Sequence, residues 1–272
     1  MTKIGFIGAG NMAFAIIEGI FSSPIFKDKY PNTKFIISDK NNSQLERFKS
    51  AFVDINIANS NVDLAKKADI LFLSIKPQNA IEVLEEISNH ISEEKLIVSI
   101  MAGITMKKIS QYLSVTQIAR VMPNSPALIQ QGMTAVSFSD KITVKYKQII
   151  LDIFSTVGKA ITVDEELQNA ATAVSGSGPA FIYKVAQSII SAAKNIGLDK
   201  NTAQTLVAQT LVGAGAMLLK NENIDTLIKN VASPGGTTEA GLKVFNEDTK
   251  WQETLQQVII KSKNRADELS WD

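Results

Sequence analysis

The chain has 272 residues, 45% of them apolar and 20% charged, and its 28 lysines and arginines nearly balance its 27 aspartates and glutamates. That balance gives no basic field for nucleic acid or an anionic membrane surface, and no apolar run approaches the roughly 20 residues of a membrane span. There is no cysteine and a single histidine, His90, which excludes disulfides, thiolate catalysis and cysteine- or histidine-clustered metals, so no metal is expected.

The first segment, residues 3–7, reads as a buried strand and follows no basic leader with a longer apolar region, so a cytoplasmic location is the expectation. From there short apolar runs at 35–38, 70–75, 96–100 and 116–121 alternate with amphipathic segments at 12–21, 43–52, 78–87 and 106–113. Such alternation predicts βαβ units and a doubly wound, mostly parallel sheet with helices on both faces. Two more strand candidates, 133–138 and 159–163, flank a helical pattern over about 144–157.

Beyond residue 163 the strand signal stops. Residues 166–173, 179–196, 201–219, 223–231, 239–245 and 251–269 all read as helices, and Leu211 to Met217 is rich in small side chains. Consecutive helices with wide apolar faces need a surface to cover them, and small residues permit close helix approach. A subunit interface accounts for both. The expected organisation is an N-terminal dinucleotide-binding domain over 1–162 and an all-helical domain for dimerisation and substrate over 163–272.

The cofactor signal is local and specific in its context. Gly8, Gly10 and Ala13 form a GxGxxA pattern that follows the strand at 3–7 and opens a helix. The first glycine allows a tight turn, the second allows backbone to approach a pyrophosphate, and the alanine lets helix and strand pack closely. At the end of the next long strand stand Asp39, which can bond a ribose 2′-hydroxyl and favours NADH, and Lys40, which can meet the 2′-phosphate of NADPH. NADPH is the preferred reading, with NADH as the alternative. Strand ends in an open parallel sheet border the ligand, which places Ser74, Ile75, Lys76 and Pro77, and likewise Met101 and Ala102, beside the cofactor.

The helical half carries two segments built of glycine, serine and threonine, one over 173–181 and one over 230–242. Each presents backbone N–H groups and hydroxyls ahead of a helix, a natural nest for a carboxylate.

The string VASPGGTTEAGL resembles the signature of pyrroline-5-carboxylate reductases, and AVSGSGPAF resembles that family's other helical-domain motif. FIGAGNMAFAI, LSIKPQ, VSIMAGI and RVMPNSPALI match the same family in its order and spacing, so the resemblance spans essentially the whole chain. It implies a Rossmann-type domain followed by a helical dimerisation domain, in homodimers that assemble further, commonly as decamers. Carried over by motif, Ile7, Gly8, Ala9, Gly10, Asn11 and Met12 would hold the pyrophosphate, with Asp39, Lys40 and Asn61 near the adenosine ribose. Ser74 to Pro77 and Ile100 to Ala102 would border the nicotinamide half. Glu165 matches a glutamate at the substrate, and Asn230, Thr237 and Thr238 match residues around cofactor and substrate.

The implied reaction is hydride transfer from NAD(P)H to the C=N carbon of 1-pyrroline-5-carboxylate, giving L-proline. Such an electrophile needs positioning more than acid catalysis. The substrate carboxylate is assigned to backbone N–H groups from Gly236 to Thr238 with Ser233 assisting, and the ring nitrogen to the Thr238 hydroxyl. The alternatives are a reductase of a six-membered cyclic imine and a β-hydroxyacid dehydrogenase-like enzyme. Against the latter, Lys184 lies within SGSGPAFIYK, which suits the reductase better.

Overall fold

The protein is described by a computed structural model covering residues 2–220 and 223–270. The chain divides into two compact units, one formed by the residues up to Pro179 together with those from Lys261, the other by Ala180–Ile260.

The first unit is built on one eight-stranded sheet in the order β3-β2-β1-β4-β5-β6-β7-β8. The strands are β1 (Lys3–Ile7), β2 (Lys34–Ser38), β3 (Ile55–Ile57), β4 (Ile70–Leu73), β5 (Leu96–Ser99), β6 (Gln117–Met122), β7 (Gly132–Phe138) and β8 (Gly158–Thr162). Every neighbouring pair is parallel except β6 and β7. Each residue of β4 and β5 is buried, as a central strand covered on both faces requires, and this is why those runs read as continuous Ile, Leu, Val and Phe.

Helices cover both faces. They are α1 (Asn11–Ser22), α2 (Pro24–Lys29), α3 (Asn42–Ala51), α4 (Asn61–Lys67), α5 (Ala80–Ile87), α6 (Met106–Tyr112), α7 (Val144–Ser155) and α8 (Gln168–Ala171). One apolar cluster joins the sheet to α1, α3 and α7, where Ile16, Ile17, Phe48, Ile150 and Phe154 are wholly buried. A second joins it to α4, α5 and α6 through Leu64, Leu84, Ile87 and Ile109. Starts are fixed by side-chain caps: Ser60 Oγ accepts from Asp63 N, and Thr105 Oγ1 accepts from Lys108 N, each satisfying an orphan N–H.

The short elements β3, α2 and α4 were not legible in the sequence pattern. β3 has three residues and is an edge strand whose isoleucines are only half-buried. The single helix expected at 166–173 is instead a tight turn over Glu165–Leu167, then α8, then a wide π-type turn over Thr172–Gly176. Gln168 anchors this stretch, donating from Nε2 to the carbonyls of Arg120 and Ala135 and to Ser137 Oγ.

The second unit is entirely helical. Its helices belong to α9 (Gly178–Asn195), α10 (Lys200–Leu218), α11 (Ile224–Val231), α12 (Thr237–Glu247) and α13 (Lys250–Glu268), the first and last of which continue into residues of the first unit. No described residue of α9, α11 or α12 is buried. On α9, Ile182, Val185 and Ile189 recur at helical spacing, and all are exposed, Ile182 by 51%; Ile196, just beyond the helix, is exposed by 83%. A Cβ added at Gly213 or Gly215 of α10 would meet no atom within 4 Å. Among the described residues, none covers the apolar stripe of α9 or lies against Gly213 or Gly215.

Candidate functional site

In the parallel register Ile7 of β1 stands beside Ser38 of β2 and Leu73 of β4, and Leu73 stands beside Ser99 of β5. The carboxyl ends of these strands therefore form one edge. Strand order runs outward from β1 to β3 on one side and resumes with β4 on the other, so a crevice opens between β1 and β4.

Gly8 makes the turn at that crevice with φ +101°, a conformation that side-chain-bearing residues rarely adopt. Its N–H donates to Ser38 O at 2.8 Å, and a Cβ there would lie 2.5 Å from the Ser74 carbonyl oxygen. Gly10 is different. Its backbone is extended, and a Cβ would meet nothing within 4 Å. No protein neighbour requires glycine at that position, which fits a site where an external group approaches the backbone. Gly10 is also the N-cap of α1, which has neither a side-chain cap nor an acidic residue in its first turn. The N–H groups at that terminus are thus available to an anion. Ala13 is wholly buried, in keeping with close helix–strand packing.

The residues expected at the adenosine end come together. Asp39 Oδ2 accepts the Ala9 N–H at 2.6 Å, and Oδ1 accepts the Asn41 N–H at 2.8 Å. Ser38 Oγ donates to Asn61 Oδ1, and Asn61 Nδ2 donates to Glu86 Oε2. Lys40 reaches Glu82 at 2.7 Å, and the hydrogen bond and charge of that glutamate hold the exposed ammonium above its ordinary pKa. On the opposite side of Gly8, Ser74 N donates to Ile7 O, and Ser74 Oγ is buried with no protein partner. Ile75, Lys76 and Pro77 continue from it at the strand edge. Ile100 N donates to Leu73 O, while the Met101 side chain is buried and its N–H donates to Ser99 Oγ at 3.3 Å; Ala102 follows at the same edge.

Sequence reading missed Arg47 and Arg120. Arg47, on α3, donates from Nη1 to Asn11 Oδ1 at 2.9 Å, with its guanidinium 4.0 Å from the Phe14 ring centroid. Arg120 sits mid-strand in β6 at 3% exposure. A charge in an apolar strand must find partners, and that signal was visible. The partners are Glu165, at 3.4 Å, and Asn169 Oδ1, at 2.9 Å. Burial lowers the Arg120 pKa, and the Glu165 charge opposes that shift.

Glu165 is accordingly tied down. Its Oε1 also accepts the Met106 N–H at 2.7 Å, at the start of α6. A carboxylate at a helix N-terminus is favourable there, and the same residue joins the β5–α6 loop to β6.

In the second unit, the segment after α11 turns through Gly235 at φ +71° and enters α12. Gly236 N donates to Ser233 O at 3.0 Å, and a Cβ at Gly236 would lie 2.6 Å from Ser233 Oγ. Gly236 is the N-cap of α12 and offers no side-chain cap. Ser233, Gly236, Thr237 and Thr238 are therefore gathered at one helix terminus. Glu239 Oε2 accepts the Gly235 N–H at 2.6 Å, so a carboxylate of the protein already uses one donor of this loop. A groove of about 660 Å³ runs beside it, lined by Gly235, Gly236, Glu239, Ala240 and Lys243 among others. Asn230 is exposed within α11, ahead of the loop.

Among the described residues no group of three or more His, Asp or Glu is arranged to hold a metal. No described helix is long and apolar enough to cross a membrane.

Comparison with known proteins places these features in one lineage. Residues 165–269 match the family model for pyrroline-5-carboxylate reductase dimerisation, and residues 3–103 match that for NADP oxidoreductase, coenzyme F420-dependent. Pyrroline-5-carboxylate reductase 2 of Bacillus subtilis is 35% identical over 271 residues, covering 99% of this chain and 95% of that protein. A pyrroline-5-carboxylate reductase structure from Coxiella burnetii aligns with a TM-score of 0.91 at 32% identity, covering 100% of this chain and 99% of the other. The Plasmodium falciparum pyrroline carboxylate reductase, solved with NADP bound, aligns with a TM-score of 0.82 at 29% identity, covering 99% and 98%.

Proposed function

The chain belongs to the pyrroline-5-carboxylate reductase family, and from that premise we propose how its own residues serve the reaction. The protein is an NAD(P)H-dependent oxidoreductase that reduces the C=N bond of 1-pyrroline-5-carboxylate to give L-proline, the last step of proline biosynthesis. The observation that carries this reading is similarity along the full length together with the loop at Ser233 to Thr238, which a dinucleotide-binding module alone does not need.

The coenzyme, preferentially NADPH, belongs at the carboxyl edge of β1, β2, β4 and β5. Bound there, its reduced nicotinamide would supply the hydride to the carbon of the protonated imine, whose nitrogen already carries the proton that the product amine keeps. Ile7 to Met12 present the glycine turn and the uncapped N-terminus of α1 to the pyrophosphate. Asp39, Lys40 and Asn61 border the adenosine ribose. Ser74 to Pro77 and Ile100 to Ala102 border the nicotinamide half, where the buried Ser74 hydroxyl has no protein partner. Asn230 also serves the cofactor.

For the substrate, the N–H groups of Gly236 to Thr238 receive the carboxylate with Ser233 beside them, and the Thr238 hydroxyl hydrogen-bonds the ring nitrogen. Thr237 contributes its backbone. Glu165 acts at the substrate end through the α6 terminus that it caps. The protein's task is to hold the imine carbon about 3–3.5 Å from the hydride donor and to keep competing geometries out.

Functional domains of 1–162 and 163–272 follow from this division of labour. The protein self-associates through its helical domain, consistent with the uncovered stripe on α9 and with exposed Ile224, Ile228 and Val231 on α11. Assembly of dimers into a decamer, and a cytoplasmic location, belong to the same proposal.

The test is loss of reduced-nicotinamide absorbance on adding pyrroline-5-carboxylate, with NADPH and NADH in parallel and the six-membered imine alongside. Faster turnover of the five-membered ring is expected. Since one methylene discriminates by only about 1–3 kcal/mol, some activity on the larger ring is compatible. No turnover of either ring by protein that binds dinucleotide would sink the reading.

A further inference from the structure

Two residues at the end of β2, Asp39 and Lys40, are the sequence's candidates for distinguishing NADPH from NADH. Both are already engaged. Asp39 spends its two oxygens on the N–H groups of Ala9 and Asn41. The Lys40 charge is offset by Glu82 at 2.7 Å, with Glu86 adding to the same field, and its side chain is 69% exposed. A dianionic phosphate approaching Lys40 would meet the carboxylates of Glu82 and Glu86 on α5.

Arg47 stands in the opposite condition. Among the described residues it is paired with no carboxylate; its neighbour Glu46 is bound by Lys49. The guanidinium carbon lies over the Phe14 ring of α1, 4.0 Å from its centroid, a contact that consumes none of its donors. A single N–H goes to Asn11 Oδ1. The remaining donors form the rigid fork that matches phosphate bidentately.

Position decides which phosphate this fork suits. Asp39 clasps Ala9, so the place where a ribose 2′-oxygen would meet β2 adjoins the glycine turn. Asn11 is two residues beyond Ala9, and Arg47 reaches it from α3, the helix that follows β2. The pyrophosphate is served by backbone N–H groups of the first turn of α1, to which Asn11 belongs, whereas Arg47 meets that turn only through the Asn11 side chain.

We infer that Arg47, rather than Lys40, is the cation that reads the adenosine 2′-phosphate and so sets preference for NADPH. The inference rests on the coenzyme assignment above and is independent of which imine is reduced. Arg47 binds the phosphate bidentately while lying over Phe14, and Asn11 keeps its side chain aligned. Lys40 remains with Glu82 as a surface pair.

The decisive experiment needs no substrate. Calorimetry would measure adenosine 2′,5′-bisphosphate and AMP, then NADPH and NADH, binding to the full chain and to Arg47→Ala, Arg47→Lys and Lys40→Ala. Loss of a bidentate charged contact predicts that Arg47→Ala weakens the bisphosphate and NADPH by at least about tenfold, with AMP and NADH within about twofold. Arg47→Lys should fall between, and Lys40→Ala should lose less than about threefold. Equal loss for both members of each pair would overturn the inference, assigning Arg47 to the shared phosphates or to packing against Phe14. So would an unchanged Arg47→Ala, or a larger loss in Lys40→Ala. A wild-type chain that binds no nucleotide would instead overturn the coenzyme assignment itself.

Discussion

The Asp39 carboxylate accepts the backbone N–H of Ala9 at 2.6 Å, so the residue that follows β2 holds the glycine turn that precedes α1. The bond spans 30 positions in sequence and links two parallel strands at the edge where the coenzyme is proposed to lie.

Asp39→Ala removes the acceptor for two N–H groups and frees the turn. A hydrogen bond to a charged group contributes about 1.5–3 kcal/mol, so affinity for both coenzymes should fall by roughly tenfold or more. Direct titration of NADPH and NADH checks this. A variant that binds both as well as wild type would mean that the turn keeps its shape without the clasp.

Thr238→Ala leaves the α12 terminus with its backbone donors and removes one hydroxyl. Under the proposed role, kcat/KM for pyrroline-5-carboxylate should drop by about one to two orders of magnitude, or about 1.4–2.7 kcal/mol. Coenzyme affinity should be unaffected. Unchanged kcat/KM in a folded variant would remove Thr238 from the chemistry.

Ile189→Glu places a charge within the apolar stripe of α9, which is exposed in the isolated protomer. If a partner covers that stripe, the unpaired charge costs about 3–5 kcal/mol per subunit, and the oligomer should dissociate or fail to form. Sedimentation velocity reads the result directly. Wild-type mass in the variant would exclude this stripe from the interface.

A pH effect is expected at Asp152. Burial alone would raise this carboxyl, but hydrogen bonds from Lys29, Tyr30 and Gln148, with the Lys29 charge, override it and hold the pKa below the ordinary carboxylate range. A folded-state pKa below the unfolded value contributes stability that is present above about pH 4 and is lost as pH falls through the folded value. Asp152→Asn should therefore be less stable than wild type by about 1–2 kcal/mol at neutral pH, with the gap closing in acid. Denaturant unfolding across pH measures this; a gap independent of pH would show that the charge of Asp152 is not what stabilises.

Much of the fold was written locally. Continuous apolar runs marked β1, β2, β4 and β5, because a strand buried on both faces has no polar alternation to hide it. Gly8 and Gly10 marked the turn, and the later structure separates their reasons: Gly8 is required by its φ and by Ser74, whereas Gly10 answers no protein atom. The elements that escaped, β3, α2 and α4, have between three and seven residues, too few for a period to be read.

By itself the sequence determined the βαβ order, the glycine turn, the helical second half and, through its motifs, the family, since each depends on spacing along the chain. Partnership across the chain was decided only by tertiary structure. That Lys40 meets Glu82, that Asp39 turns inward to Ala9, that Arg47 lies on Phe14, and that Glu165 is held by Arg120 and the α6 terminus all depend on side chains from elements brought together by the sheet. A residue's charge is fixed by its type, but whether that charge is available to a ligand depends on which neighbour neutralises it, and no local pattern encodes that neighbour.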